Sequence, residues 1–171
     1  MSDKETNDTS NQEGDIGDVP QSPVVIHKQY LKDFSFENPN APGILKKGNV
    51  RPEIDMSIML DVKKIDDEEF DHFYEVALAI NASAEREGDN MFIAEILYAG
   101  VVSIDGLEEK HHHPILFIDV PAMLFPFARQ ILAHCTQAGG FIPLQLAPVD
   151  FRSMYLKRFG KKQEQKQEKS A

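Results

Sequence analysis

From Glu53 to Lys64 apolar and polar residues take turns. Ile54, Met56, Ile58, Leu60 and Val62 alternate with Glu53, Asp55, Ser57 and Asp61. The same period returns from Phe70 to Glu85, where Tyr74, Val76, Leu78, Ile80 and Ala82 alternate with Asp71, Glu75, Asn81 and Ser83. Successive side chains on a strand point to opposite faces. Two such runs therefore predict a sheet with one buried and one wet face, usually antiparallel. A third run, Val24 to Glu37, puts Phe34 and Phe36 on the inner face and Asp33, Ser35 and Glu37 on the outer. A fourth, Met91 to Ile104, is apolar on both faces, with Phe92, Ala94, Ile96 and Tyr98 on one side and Ile93, Leu97 and Val101 on the other. Between the Phe70–Glu85 run and this one, Arg86 to Asn90 reads as a hairpin turn.

Helical spacing follows. In Pro121–Ala138, Leu124, Phe127, Ala128, Ile131, Leu132 and Cys135 form an apolar stripe, with Pro126 near the start and Gly139-Gly140 as the stop. A second helix is expected after Pro148, with Asp150 as its N-cap. Four strands then two helices predict an α+β fold, with both helices packed on one face of a four-stranded antiparallel sheet. That layout leaves a thin core for the apolar residues crowding the last quarter, among them Phe141, Ile142, Leu144, Phe151 and Phe159. Oligomerisation, or an apolar surface kept for a partner, would resolve this.

Charge is unevenly spread. The 171 residues carry a formal net charge of −10. Residues 1–23 contain one lysine and six acids, while residues 157–171 contain six basic and two acidic residues. Both ends are polar enough to be expected as disordered tails, an acidic one over 1–23 and a basic one over 160–171. The acidic body disfavours nucleic acid and anionic lipid and suits basic partners. Cys135 is the lone cysteine, the N-terminus lacks a signal-peptide pattern, and no apolar run approaches the roughly 20 residues of a membrane span. The expectation is a cytoplasmic protein without direct membrane insertion.

Catalytic motifs are missing. The sequence has no phosphate loop, GxGxxG, GxSxG elbow or CxxC. His111-His112-His113 is the one metal-like run; read on a strand, only His111 and His113 share a face, and a solvated loop is the better account. A metal-dependent enzyme built on that run is a rival reading. Asp66 to Glu69 reads as a solvated turn, and Cys135 as a core residue. Asp33, Glu37 and Glu95 fit two readings equally well. They are scattered acids on a wet face, or a docking surface for basic groups with Ile93 and Leu97 as apolar anchors.

Five stretches carry a family resemblance, in order: YLKDFSFENPNAP (30–42), FYEVALAINA (73–82), FIAEILYAGVVSIDG (92–106), ILFIDVPAMLFPFARQIL (115–132) and GGFIPLQLAPVDFRSMY (139–155). Together they resemble SecB, the export-chaperone family of proteobacteria, over about residues 24–159. The resemblance implies a tetramer built as a dimer of dimers, with no enzymatic activity and no cofactor or metal. It implies ATP-independent holding of unfolded precursor polypeptides and their delivery to the SecA ATPase. It assigns SecA contact to Asp33, Glu37, Ile93 and Glu95, and tetramer packing to Phe92, Ala94, Ile96 and Tyr98. A client groove is expected from the loop after the first strand, with Ile44 and Leu45, together with Phe125, Phe127, Phe141 and Phe151. The alternative on the same fold is an adaptor or antitoxin-type chaperone with one dedicated partner.

Overall fold

A computed structural model describes residues 22–46, 51–66 and 72–160. Four antiparallel strands, β1 (Val24–Glu37), β2 (Glu53–Lys64), β3 (Phe73–Arg86) and β4 (Asp89–Ile104), form one sheet in the order β1-β4-β3-β2. β4 is apolar on both faces because it is central. The β3–β4 connection is tighter than the five-residue turn expected. Only Glu87 and Gly88 lie between the strands, both with positive φ (55° and 85°), the conformation that suits a two-residue hairpin between twisted strands.

Alternation on β1 is interrupted. Register shifts fall between Ile26 and Lys28 and between Leu31 and Asp33, where β1 pairs with β4. Each bulge reverses the phase of the side chains. Phe34 and Phe36 therefore lie opposite Ile96 and Ala94 on the inner side, but Tyr30 lies opposite Ala99 on the outer side. Phe36 stacks on Phe92, whereas Phe34 remains 39% exposed. The acidic turn expected over Asp66 to Glu69 falls mostly outside the described residues, as do nearly all of both expected tails.

After a short helix α1 (Gly43–Lys46), the sheet's inner face is covered by one continuous helical segment, Glu109–Ala138. Its parts are a 3-10 turn (Glu109–His111), α2 (His112–Pro114), a π turn (Ile115–Asp119) and α3 (Val120–Ala138). Pro121 has no N–H to give the carbonyl four residues back, which accounts for a register change at this point. By length and composition the segment could cross a membrane, which the sequence reading did not anticipate. Here one face of it is used as core: Val120, Leu124, Phe125, Ala128, Leu132 and Thr136 are buried, with α3 packed on β3 and β4. The helix ends as its glycines require. Gly140 takes φ 86°, its N–H donates to Gln137 O, and Phe141 N–H donates to Thr136 O at 3.0 Å.

α4 (Phe151–Tyr155) is capped by Asp150, which accepts from Ser153 N at 2.9 Å and from Ser153 Oγ at 2.7 Å. A π turn (Leu156–Gly160) completes it. Phe151 and Tyr155 are buried. Both C-terminal helices thus lie on one side of the sheet, and the α+β architecture is as expected.

Candidate functional site

Two surfaces emerge, one on each side of the sheet. The first is an apolar groove of about 700 Å³ at the end of the sheet where β1 leaves it. Met91, Phe92 and Ala84 form its floor; Ile44 and Leu45 of α1 stand on one side, and Phe141, Ile142 and Leu144 on the other. The prolines and asparagines after Glu37 shape this end. Asn38 Nδ2 donates to Gly139 O at 3.1 Å, and Asn40 Nδ2 donates to Asn90 O at 2.9 Å. Arg86 Nη2 donates to Ile44 O and so fixes α1 over the hairpin. The chain ties the loop down and leaves its apolar side chains in the open: Leu45 is 44% exposed and Ile142 is 90% exposed. An aliphatic residue that bare, beside a groove this apolar, has no role in the single chain's core.

Of the six expected groove residues, Ile44, Leu45 and Phe141 meet there. Phe125 and Phe151 do not. They sit edge to face at 6.0 Å inside the core, because α3 turns Phe125 toward α4. Phe127 lies elsewhere, 48% exposed on the outer side of α3, where with Tyr98, Ile131, His134 and Cys135 it lines a separate recess of about 440 Å³. Arg51, the last residue of the loop expected to border it, also lines the groove, and Pro52, Ile54 and Met91 join it without having been expected. Ile142 sits in a loop with no period to read; its only signal was an apolar residue between Gly139-Gly140 and Pro143.

The second surface is the outer sheet face. Register places Glu37 opposite Ile93 and Ser35 opposite Glu95 on β1 and β4. Ile93 lies opposite Ser83, and Glu95 opposite Asn81, on β3. Asp55 and Ser57 continue the rows on β2. Asp33, Glu37, Ile93 and Glu95 thus share one face, with Ile93 half-buried and the three acids exposed. Small side chains beside them, Ser57, Asn81 and Ser83, leave a shallow recess between Asp55 and Glu95.

At the opposite end of this face a neutralised cluster sits. The Lys32 ammonium bonds Glu75 at 2.5 Å, and the Tyr30 hydroxyl donates to the other carboxylate oxygen. These two hydrogen bonds, Lys32 first, hold the Glu75 carboxyl below its usual range. The same bond, with burial and the carboxylate charge, pushes the Tyr30 phenol up to about 12. The face is therefore polarised along its strands, with Lys28, Lys32 and Lys63 toward one end and Glu37, Glu53, Asp55, Glu85 and Glu95 toward the other.

Phe92, Ala94, Ile96 and Tyr98 are all buried on the inner side of the sheet. This chain's own residues cover them: Phe141 packs on Phe92, and Phe127 stacks over Tyr98 at 6.2 Å.

The histidine run is not a solvated loop. It opens the long helical segment. His112 is buried, with Nδ1 3.0 Å from the Tyr74 hydroxyl and Nε2 3.0 Å from Leu107 O. His113 Nδ1 lies 3.0 Å from the Tyr155 hydroxyl, and its ring packs at a tilt against Phe117; burial, then the Arg158 charge, lowers its pKa. Helical geometry turns consecutive histidines about 100° apart, so the three diverge. Among the described residues no three His, Cys, Asp or Glu side chains converge for a metal. Burial raises the pKa of the Cys135 thiol.

Residues 18–163 match the family model described as SecB, preprotein translocase subunit SecB. The protein-export protein SecB of Rickettsia massiliae is 42% identical over 140 residues, covering 82% of this chain and 90% of that relative. The protein-export protein SecB of Bartonella bacilliformis is 38% identical over 161 residues, covering 94% and 99%. Among solved structures, a SecB-like chaperone of Mycobacterium tuberculosis, in complex with a ChAD peptide from the HigA1 antitoxin, superimposes with a TM-score of 0.57. It covers 74% of this chain and 87% of that one at 14% identity, a likeness of fold.

Proposed function

Because the chain belongs to the SecB family, we propose that it is a protein-export chaperone that holds unfolded precursor polypeptides in the groove beside Ile142 and offers its outer sheet face to SecA. The observation that carries this reading is the pair of unlike surfaces on opposite sides of one sheet. The groove is apolar, with exposed aliphatic side chains (Leu45, Ile54 and Ile142) around it and the half-buried Phe141 in its wall, suiting clients of many sequences. The outer face is acidic toward the end that carries Glu37, Asp55 and Glu95, with Ile93 and, further along, Leu97 as apolar anchors, suiting a basic partner. Holding needs no catalytic residue. A protein that binds the unfolded state draws the folding equilibrium away from native by mass action. The exposed Met123 and Phe127 on α3 support assembly of four copies with the helices between the sheets. Such a tetramer works in the cytoplasm, before clients cross a membrane. Light scattering that found a stable monomer at micromolar concentration would count against the assembly.

The groove is tested by Ile142→Asp, a change at a side chain the single chain leaves bare. Suppression of aggregation is measured for several unrelated denatured proteins. The wild type is expected to protect all of them, and the variant to lose most of that protection while keeping its circular dichroism and thermal midpoint. Protection of one client alone would favour a dedicated-partner chaperone. Undiminished protection by the variant would remove the groove from the mechanism.

A further inference from the structure

Charge is sorted by side in this molecule. The sequence holds 28 acidic and 18 basic residues, so a recess of no particular purpose would more often meet an acid. The shallow recess on the outer face follows that bias, for its charged residues are Asp55 and Glu95. The inner side reverses it. In the groove beside Ile142 the charged residues are Arg51 and Arg86. In a second apolar recess of about 530 Å³, between β2 and the C-terminal turn, they are Lys157 and Arg158. Among the described residues no aspartate or glutamate lines either one. The two lie along one strand. The groove takes in Ile54 and the second recess Ile58 to Leu60, and between them Met56 is 40% exposed on the same side of β2.

The cations are not equivalent. Arg86 is 8% exposed and donates to Ile44 O, so it serves the groove wall. Arg158 Nη1 donates to Leu60 O at 3.3 Å, and its guanidinium stands over the Phe117 and Phe159 rings at 5.7 and 5.2 Å. These contacts hold it at the recess with further N–H donors to offer. Arg51 is exposed, and among the described residues neither it nor Arg158 has a carboxylate within ion-pair distance. A carboxylate entering either recess therefore meets a fork of donors beside apolar side chains, a pairing that is charge-assisted and directional. An ammonium meets like charge instead. Arg51 and Leu60 are nine residues apart, about 30 Å at the strand rise. An extended segment of about nine residues covers that span.

We propose that Arg51 and Arg158 read the charge of the client: the inner side selects extended apolar segments flanked by aspartate or glutamate and disfavours those flanked by lysine or arginine. This rests on the client reading above and names the client class. The net charge of −10 acts in the opposite sense, drawing basic segments from a distance, so a preference for acid has to arise at the recesses themselves. The sorting also keeps two partners apart. A basic partner suits the outer face and is turned away from the inner side, so it does not compete with the client.

Three labelled peptides test this by fluorescence anisotropy on the full chain. Each carries one apolar run of about seven residues, long enough to pass from Ile54 to Leu60, flanked on both sides by Glu, Gln or Lys. The wild type is expected to bind the Glu peptide about threefold tighter than the Gln peptide in about 0.05 M salt, and the Lys peptide more weakly than either. The spread should narrow in about 0.15 M salt. Arg51→Gln with Arg158→Gln should bring the Glu and Gln peptides to within about 1.5-fold of each other, while Arg51→Lys with Arg158→Lys keeps the order. Equal binding of the three peptides by the wild type, tightest binding of the Lys peptide, or an order that survives the double Gln variant would overturn the proposal. Ile142→Asp separates this from the groove reading, and should weaken all three peptides together. Undiminished binding by that variant would strike the groove reading alone if the charge order still vanished in the double Gln variant, and both readings if it did not.

Discussion

At the scale of single residues, the bulge at Lys32 decides more than any other local feature. Read as unbroken alternation, the first strand sends Tyr30 inward with Phe34 and Phe36. The extra residue reverses the phase, and Tyr30 instead crosses the outer face to Glu75. This has a consequence for pH. The Tyr30 phenol is held up to about 12, above its unfolded value near 10, so the folded state keeps a proton that the unfolded chain gives up. Its contribution is complete below about pH 10 and is lost as pH rises toward about 12. Tyr30→Phe should flatten this alkaline fall in stability and remove the last step of the ultraviolet tyrosinate titration. It should also lower stability near neutral pH by about 1 kcal/mol. An unchanged titration would mean that the Tyr30–Glu75 bond does not form in solution. A bulge leaves almost no trace in a sequence, because one added residue in a strand of mixed polarity looks like noise. The outward placement of Asp33 and Glu37 was legible because they lie after the bulge, and that of Glu95 because β4 alternates regularly around it.

At the scale of elements, strands were easier to read than the segments between them. β1 and β2 begin and end where the apolar period begins and ends, and β4's two apolar faces mark it as central. The long helical segment was foreshortened in the sequence reading. The helix was expected to begin at Pro121 and the three histidines to lie in a loop, yet the helical segment starts at Glu109 and runs through a 3-10 turn and a π turn into α3. The same difficulty hid His112, whose burial depends on Tyr74 and Leu107, partners remote from its own period. The segment after α3 has no regular structure; Arg129 Nη1 donates to Leu146 O at 3.2 Å, and a buried threonine ties its middle to α3. Thr136 is fully buried; its hydroxyl donates back to the Leu132 carbonyl at 3.0 Å and accepts from Leu144 N at 2.9 Å. Thr136→Val keeps the shape and removes both bonds. A loss of about 1–2 kcal/mol is expected in denaturant unfolding. Faster hydrogen exchange should also appear at Leu144 and its neighbours along the groove wall. Exchange unchanged at Leu144 would show that the loop is held by packing alone.

At the scale of the whole molecule, the sheet acts as a partition. Its inner face carries α3 and, at one end, the groove walled by Ile44, Leu45 and Phe141; its outer face carries Asp33, Glu37, Ile93 and Glu95. Ala94 and Glu95 are neighbours in sequence, one fully buried and the other in solvent, so β4 serves both faces at once. This division explains how one small domain could retain a client while engaging a second protein. Substitutions on the wet face remove charge without opening the core, and should therefore separate the two activities. The most direct measurement is parallel titration of SecA and of a denatured precursor against the double variant Asp33→Asn, Glu95→Gln. SecA binding should fall by about tenfold or more, with less salt dependence than the wild type, while precursor affinity stays within about twofold. Equal loss of both affinities, or loss of neither, would contradict the assignment of two partners to two faces.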